Sequence, residues 1–553
     1  MTEHLLASIA LLSPLAFILT ALISWFQPGI RPNLVKKLGV ISATISITIA
    51  IVCSVFVVKY SFLETAFFGI ANIGLSLRLD SISVIMFSMI ALLSFIIIRF
   101  SLNYLDGDKR QGAFIGRLAA TIAAVQLLVL SGNLGLLFLA WISTSITLHR
   151  LLIFYHERPG AIIAARKKFI IARVADVCVL SAISILYQMF GTGNFGDIFT
   201  MIKSNVAANI SMEGMEIVAL LFAAAAILKS AQFPTHGWLI EVMETPTPVS
   251  ALLHAGVLNA GPFLIIRMAY IMDATTYASI ALLIIGGFTA LFASVVYLTQ
   301  TSVKTALGYS SVGHMGFSLM VCGLGVFPAA MLHLVAHSFY KAHSFLSSGS
   351  VIDLIQSAKI VSAKRIGSPL RIGLGIILSF SVYTSFALIW GIDPNTELAL
   401  FAIGAIIVMG LSRLFTAALD STVSLKLILR ASLLAVVVAA AFFTLEAGAH
   451  HLLSAQIPVL TNPSILETGL ISAILIIFGI TVFIQILAPL FRAKPAYINL
   501  AIHLRNGLYA NALFDRMVRA LYSHGKPGEE LIDPSDLRHK KSIKQVAFKE
   551  QPV

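Results

Sequence analysis

The chain has 553 residues, of which 58% are hydrophobic and 11% are charged, against roughly 25% charged residues in an ordinary globular protein. So few charges could not cover the surface of a soluble body of this length, and the mean hydropathy of +0.93 agrees with this. The composition excludes a string of soluble domains and indicates a polytopic membrane protein. The net charge of +13 is attributed to membrane topology, and no nucleic-acid partner is expected.

Apolar stretches of about 20 residues, the length that crosses a bilayer, recur along the whole chain. We predict an all-α polytopic membrane protein with about fifteen transmembrane helices. The predicted spans lie near residues 5–26, 38–58, 80–100, 114–131, 133–155, 168–190, 214–230, 248–271, 277–300, 303–322, 326–354, 370–390, 397–419, 428–446 and 468–490. The first run has no basic stretch before it and no small-residue cleavage site after it, so we expect a retained span.

Basic residues are distributed unevenly between the predicted loops. With the N-terminus outside, the even-numbered loops hold only Lys59, Arg78 and Lys203, whereas the odd-numbered loops hold many more, among them Lys167 and Lys168. Because Lys and Arg concentrate in cytoplasmic loops, we predict an outside N-terminus and a cytoplasmic C-terminus.

The segment 492–553 is the longest polar part of the chain. Apolar side chains recur at about helical spacing over residues 497–522, and a polar stretch follows. We predict an amphipathic helix and then a flexible cytoplasmic tail. Such a helix could lie on the membrane surface or dock a partner.

Ionisable residues inside apolar runs are the main functional signal, because each costs about 2.5–3.5 kcal/mol to insert at the centre of a membrane helix. Lys229 ends the run ALLFAAAAILK, and Pro234 follows it. Because proline cannot donate a backbone hydrogen bond, we predict a helix break near residues 231–234. A charge beside a broken helix is typical of ion sites in transporters, and the alternative is a boundary lysine that reaches water.

The stretch HLVAHSFYKAHSF places His333, His337 and Lys341 at positions i, i+4 and i+8. On a helix these side chains share one stripe, with steps of about 6 Å. This arrangement suits a proton relay bridged by water, because imidazole titrates near physiological pH. A metal site formed by the two histidines is less favoured, because the nearest further ligand, His343, lies on a different face. A structural role for core histidines also stays open.

Four further ionisable residues lie in or beside apolar runs, namely Asp176, His254, Lys304 and Glu244. Arg173 precedes Asp176 by three residues, so a local ion pair is the simpler interpretation of Asp176. We predict a path for protons or other cations through the spans, with no catalytic residue and no metal site in this chain. The residues assigned to the path are Lys229, His254, Lys304, His333, His337, Lys341, Asp176 and Glu244.

Three segments resemble the antiporter-like membrane subunits of respiratory complex I, Mrp cation antiporters and membrane hydrogenases: KSAQFPTHGWLIEVMETPTPVSALLHAGVLNAG, QTSVKTALGYSSVGHMGFSLMVCGLG and HLVAHSFYKAHSFLSSGSVI. The resemblance covers roughly residues 75–355. It implies two inverted repeats, each with a broken helix, and a chain of lysines and histidines that carries protons along the membrane midplane. The predicted divisions are N-terminal helices 1–110, first repeat 111–272, second repeat 273–425, C-terminal helices 426–491 and cytoplasmic tail 492–553.

Two departures from that family stand out. In the family a glutamate follows the tryptophan of the fifth span, whereas Ile142 follows Trp141 here. Lys229 then needs another counter-ion, for which Asp176 and Glu244 are the candidates. The run IGLGIILSFSVYTSFALIWGIDP corresponds to the family's second broken helix but has no internal charge, so the outward exit of the second half-channel is expected to be altered or absent.

One branch of the family shares these departures most closely, namely the membrane subunits of DAB-type inorganic-carbon accumulation complexes. The resemblance to this branch also rests on the stretches HSFYKAHSFLSSGS and LRNGLYANALFDR. The resemblance implies a location in the bacterial cytoplasmic (inner) membrane. It also implies a partner, a large cytoplasmic zinc-containing subunit of the DabA type that resembles β-carbonic anhydrase. A gradient of H⁺ or Na⁺ would then drive CO₂ hydration to bicarbonate in the partner, which would hold the zinc, and no cofactor is expected in this chain.

Two other functions stay open. The chain could be an antiporter-like, proton-pumping subunit of a complex I, membrane hydrogenase or Mrp assembly. It could also be a passive membrane anchor for a soluble enzyme. Direct transport of bicarbonate has no support, because the spans contain no cluster of arginines that would bind an anion.

Overall fold

The structure is a computed structural model of the chain. It describes residues 2–155, 157–242, 245–349, 368–394, 396–420, 425–460, 464–488 and 494–523. Within these residues, eleven helices are long and apolar enough to cross a membrane, so the prediction of an all-α polytopic membrane protein is confirmed. Each of the fifteen predicted spans contains one or more helices in its described part. The count of fifteen crossings is not confirmed, because four of those segments form shorter or more polar helices.

The N-terminal part is a bundle of long helices with two small pairs of antiparallel strands. Its helices are α1 (Thr2–Ser8), α2 (Leu12–Ile23), α3 (Asn33–Tyr60), α4 (Ser81–Tyr104), α5 (Gln111–Val129) and α6 (Leu134–Leu152), with a 3-10 turn at Ile9–Leu11. Its strands are β1 (Leu63–Glu64), β2 (Phe68–Ile70), β3 (Ile73–Leu75) and β4 (Arg78–Leu79), and β1 pairs with β4 while β2 pairs with β3. Strands of two or three residues are too short to show the alternation that predicts a strand.

The central part contains an interrupted helix. Its elements are α7 (Pro159–Phe190), α8 (Phe195–Ala207), α9 (Met215–Lys229), α10 (Gly237–Glu241), α11 (Thr247–Ala255), a 3-10 turn at Val257–Asn259, α12 (Ala260–Arg267), α13 (Ala269–Asp273) and α14 (Tyr277–Tyr297). Residues 230–236 separate α9 from α10, and Pro234 lies within this interruption. A Cβ atom at Gly261 would lie 2.6 Å from the carbonyl oxygen of Ala226, so only glycine allows α12 to approach α9 this closely.

The following part begins with two helices in close contact. Its helices are α15 (Val303–Gly323), α16 (Phe327–Leu346), α17 (Pro369–Trp390), α18 (Leu398–Met409), α19 (Ser412–Asp420), α20 (Leu425–Leu453) and α21 (Ile465–Leu487). A Cβ atom at Gly286 of α14 would lie 2.6 Å from the carbonyl oxygen of Gly316 on α15, and small residues of this kind are typical of tightly packed membrane helices. The uncharged run after α16 forms the continuous helix α17, and the next apolar segment is interrupted instead, between α18 and α19.

The segment 494–511, the C-terminal arm, ends the first of two compact units, residues 1–511 and 512–553. It holds α22 (Pro495–Arg505) and a 3-10 turn at Gly507–Tyr509, after which α23 (Ala510–Ser523) begins. The prediction of one continuous helix over 497–522 is therefore wrong. Leu508 and Tyr509 have φ angles of +52° and +60°, which no right-handed helix contains, and the preceding Asn506-Gly507 pair is a recognised turn signal. Residues 512–523 of the second unit are described, and they are helical.

A buried ion network joins the strands to the central helices. The Asp80 carboxylate accepts the backbone N–H of Ser83 at 2.9 Å and so caps α4. Arg267 donates to both carboxylate oxygens, at 2.6 and 3.2 Å, and Arg78 donates at 2.8 Å. Burial by itself raises the pKa of Asp80, but the charges of Arg267 and Arg78 outweigh burial and hold the pKa well below its usual range.

Candidate ion path

Lys229 is buried at the point where α9 ends. Its ammonium group donates to the hydroxyls of Thr144 and Ser145, at 3.0 and 2.9 Å, and to the carbonyl of Trp141 at 3.3 Å. The ammonium nitrogen also lies 4.3 Å from the centre of the Trp141 ring. All three acceptors belong to α6, on either side of Ile142. Among the described residues, the hydrogen-bond acceptors of Lys229 are therefore neutral oxygens, and the Asp176 carboxylate acts on Lys229 through its charge without forming an ion pair.

The two candidate counter-ions for Lys229 have different outcomes. Asp176 forms the local ion pair with Arg173, at 2.6 Å on α7. Glu244 lies outside the described residues. Among the residues that the structure describes, no carboxylate forms an ion pair with Lys229.

Two further lysines are buried beside this site, and the prediction that they are loop charges is wrong. Lys167 and Lys168 lie inside α7 and are 0% and 5% exposed. Lys168 donates to the carbonyl of Ser145 at 2.7 Å, so Ser145 accepts hydrogen bonds from two lysines. Burial is possible because each ammonium reaches an acceptor across a helix interface, and sequence spacing does not show such contacts.

A small cavity lies between Lys229 and the helix α11. It measures about 10 Å³ and is lined by Lys168, Lys229, Trp238, Leu253 and other residues of α7, α9 and α11. Its volume corresponds to about one water molecule.

A second group of buried ionisable residues surrounds α16. Lys341 is fully buried and donates to the carbonyl of Leu307 at 3.3 Å. His254 of α11 stacks on Phe345, with ring centres 4.3 Å apart. Within the described chain, the ring nitrogens of His254 and His337 are buried without a protein partner. Buried polar atoms of this kind are commonly satisfied by water.

His314 of α15 joins this second group, although the prediction did not include it. Its Nδ1 atom lies 3.3 Å from Nε2 of His333, and its ring centre is 4.8 Å from that of His337. The rule that singled out the other residues, a titratable side chain inside an apolar run, applies equally to His314. His314 and His333 border an open cavity of about 420 Å³.

Among the residues that the structure describes, Lys304 forms no hydrogen bond or ion pair with the buried groups. It lies in the first turn of α15 and is half-buried. The structure therefore brings together Lys229 with Lys168, and His254 and Lys341 with the histidines of α15 and α16.

Polar contacts along the segment after α11 connect the two groups. Ser230, next to Lys229, donates to the carbonyl of Leu258 at 3.2 Å. Asn259, the following residue, donates to the hydroxyl of Ser338 on α16 at 2.7 Å. The interior of the protein thus holds ammonium and imidazole groups close to one another, and the hydrogen-bond acceptors of the two buried ammonium groups at Lys229 and Lys341 are neutral oxygens. This arrangement is suited to passing protons between them.

Two family models match the chain. One, described as NADH:quinone oxidoreductase/Mrp antiporter, TM, matches residues 131–371, and the other, NADH-Ubiquinone oxidoreductase (complex I), chain 5 N-terminus, matches residues 67–115. The chain belongs to the superfamily of antiporter-like membrane subunits found in complex I and Mrp assemblies. The matched residues include both groups of buried ionisable side chains.

Among curated proteins, the chain is similar to the probable inorganic carbon transporter subunit DabB of Hydrogenovibrio crunogenus, with 38% identity over 341 residues, 61% of this chain and 62% of the relative. It is 42% identical over 274 residues to subunit DabB2 of Halothiobacillus neapolitanus, covering 50% of this chain and 49% of the relative. The matches thus span 49% and 62% of the lengths of these relatives. The predicted resemblance to the DAB-type branch is confirmed.

Among solved structures, the Mrp complex from Dietzia sp. DQ12-45-1b has a chain that matches 99% of this one, with a TM-score of 0.63 and 21% identity, over 62% of its own length. At this identity the match shows a shared fold.

Proposed function

We propose that this chain conducts H⁺ or Na⁺ across a bacterial cytoplasmic membrane and couples that flow to CO₂ hydration by a large cytoplasmic zinc-containing subunit. The observation that carries the proposal is the setting of Lys229. This lysine is buried at an interrupted helix, is held by neutral oxygens and lies beside a second buried lysine. A purely structural lysine would be expected to form an ion pair with a carboxylate. Lys229 instead donates to neutral acceptors, with Asp176 near enough to act on it only through charge, and this arrangement is suited to releasing and regaining a proton.

The free energy released by ions that cross the membrane is large enough to drive CO₂ hydration in one direction. One charge that crosses 100 mV releases about 2.3 kcal/mol, and each pH unit adds about 1.4 kcal/mol. One or two charges per turnover would make hydration of CO₂ effectively one-way. The hydration chemistry and the zinc would belong to the partner, and this chain would supply the ion path.

The partner assignment draws on the relatives, whose names describe inorganic carbon transporter subunits. With the N-terminus outside, the positively charged loops and the C-terminal arm would face the cytoplasm, where a soluble partner could contact them. The proposed topology and the proposed partner therefore support each other.

The C-terminal arm offers a route for the coupling. Lys167 is fully buried and donates to the Glu241 carboxylate at 2.7 Å and to the Asn511 side-chain oxygen at 2.9 Å. The Asn511 amide in turn donates to the same Glu241 oxygen at 2.7 Å. The arm is thus bonded to α7 and to α10, the short helix that follows the interruption beyond Lys229.

Close packing supports this route. A Cβ atom at Gly237, the first residue of α10, would lie 1.8 Å from the side-chain oxygen of Asn511. Gly507 has a φ angle of +60°, and a Cβ atom there would lie 2.8 Å from the Tyr309 hydroxyl oxygen. Because no space separates α10 from the arm, a movement of the interrupted helix would displace Asn511, from which α23 continues.

The test uses the complete complex in cells that depend on it for inorganic carbon. We expect Lys229→Met and Lys341→Met each to abolish carbon accumulation while the complex still assembles, as judged by co-purification of the cytoplasmic subunit. Full uptake by both variants would contradict the ion-path proposal. An exposed lysine replaced in the same way, Lys37→Met, is the matched control.

The competing functions predict different observations. A pumping subunit of a complex I, hydrogenase or Mrp type, favoured by the shared fold, would co-purify with several small membrane subunits. Its disadvantages are Ile142 in place of glutamate and the absence of a charged residue from positions 372–390 of helix α17. A passive anchor would leave partner activity unchanged when an uncoupler collapses the gradient.

A further inference from the structure

We propose that His314, His333 and His337 form a binding site for a divalent transition-metal ion of the Zn²⁺ type. The three residues come from two helices, with His333 and His337 one turn apart on α16 and His314 on the neighbouring α15. Their ligand nitrogens all lie within 4.8 Å of one another. The sequence places only two of these ligands on one face, and the tertiary contact supplies the third.

The distances fit a zinc-type ion. Zinc–imidazole bonds are about 2.0–2.1 Å long, so two nitrogens on a tetrahedral ion lie about 3.3 Å apart. The His314 Nδ1 and His333 Nε2 atoms are already 3.3 Å apart. Rotation of the His337 side chain would bring its nitrogen to the same spacing.

The chemistry of the three side chains also fits. His337 is 3% exposed, and neither of its ring nitrogens has a protein partner in the described part of the chain. Neutral imidazole favours zinc, copper and nickel, whereas magnesium and calcium prefer oxygen ligands. Three histidines with a free fourth position is a known zinc coordination.

An open cavity borders two of the three ligands. It measures about 420 Å³, and His314 and His333 form part of its lining together with Tyr309, Ser310 and Phe317. His337 is buried and does not line the cavity, whereas His314 and His333 are half-buried at its edge. A bound ion would therefore have three nitrogen ligands from α15 and α16, and the cavity has room for a water ligand.

Occupancy has a functional consequence that rests on the proposed function. A metal ion would occupy ring nitrogens of the path and would add a double positive charge one helical turn from Lys341. Micromolar zinc would then block ion flow, and a chelator would restore it.

The test uses the full-length chain, purified with a tag that contains no histidine, and titrated with Co²⁺. We expect the strong visible absorption of tetrahedral Co²⁺ at one ion per chain, and displacement of Co²⁺ by Zn²⁺. His314→Gln should weaken binding at least about tenfold, since even outer-shell partners of metal ligands contribute 10–100-fold. His343→Gln, which replaces an exposed histidine on α16, the helix of His333 and His337, should bind as the unmodified chain does.

Folding is monitored separately, by thermal unfolding of each variant without metal. If His314→Gln does not fold, His333→Gln takes its place. Absence of the tetrahedral spectrum, or equal binding by the His314 and His343 variants, would overturn the site.

Ion flux into liposomes distinguishes this inference from the proposed function. Flux that Zn²⁺ blocks in the unmodified chain and does not block in His314→Gln supports both. Tetrahedral Co²⁺ binding without any metal-free flux would support the site and contradict the proposed function. Normal flux with zinc bound would support the site and overturn its role as a block.

Discussion

Replacing Lys229 with methionine separates transport from stability. The substitution keeps the length of the side chain and removes its charge. Removing an ammonium from the membrane interior relieves about 2.5–3.5 kcal/mol of insertion cost. Thr144 keeps its hydrogen bond to the carbonyl of Trp141 at 2.7 Å. Ser145 loses the only partner that the structure describes for its hydroxyl, at a cost of about 1–3 kcal/mol.

These two contributions oppose each other. We expect the effect of Lys229→Met on stability to lie between a loss of about 0.5 kcal/mol and a gain of about 2.5 kcal/mol. Ion flow should nevertheless fall, because an ion then crosses that position without a charged or polar carrier. An added barrier of about 2.5–3.5 kcal/mol corresponds to a decrease in flux of roughly 10²-fold.

The assay measures dye-reported ion flux in liposomes under an imposed membrane potential, and thermal unfolding in detergent. Lys37→Met, which removes an exposed lysine, controls for the loss of one positive charge. Near-normal flux in Lys229→Met would remove Lys229 from the path. A loss of several kcal/mol of stability would show that the lysine is needed for the fold.

Asn511→Ala should leave the cytoplasmic subunit bound but remove its response to the gradient, because it breaks the bonds between the C-terminal arm and α10. The control is Asn506→Ala, whose side chain bonds, among the described residues, only to the arm itself. A gradient response retained in both variants would contradict the coupling route. Arg267→Met should lower the free energy of unfolding by about 3–5 kcal/mol, because it leaves the Asp80 carboxylate buried without its main partner; a melting temperature equal to that of the unmodified chain would refute this. Since the pKa of Asp80 is lowered in the folded chain, its stabilising contribution is complete above the unfolded value of about 4. It is lost as the pH falls further, and Asp80→Asn should flatten that part of the stability profile.

The membrane class and the interrupted helix follow from the sequence. Insertion cost makes a buried lysine conspicuous in an apolar run, and proline next to it breaks a helix for a local backbone reason, so both signals depend on near neighbours only. The stripe of His333, His337 and Lys341 is visible for the same reason, because the helical repeat alone decides which residues share a face.

Contacts between side chains of different helices could be identified only from the tertiary structure. Lys168 has the same sequence signature as any cytoplasmic boundary lysine, and only the acceptor on α6 makes its burial possible. His314 is nineteen residues from His333, a separation that no periodicity links, and the close approach of α15 to α16 brings their rings together. The hydrogen bonds from Lys229 to Thr144 and Ser145 could not be predicted from the sequence either. Hydroxyls are common in membrane helices, and they become acceptors for a lysine only when another helix brings the ammonium group close to them.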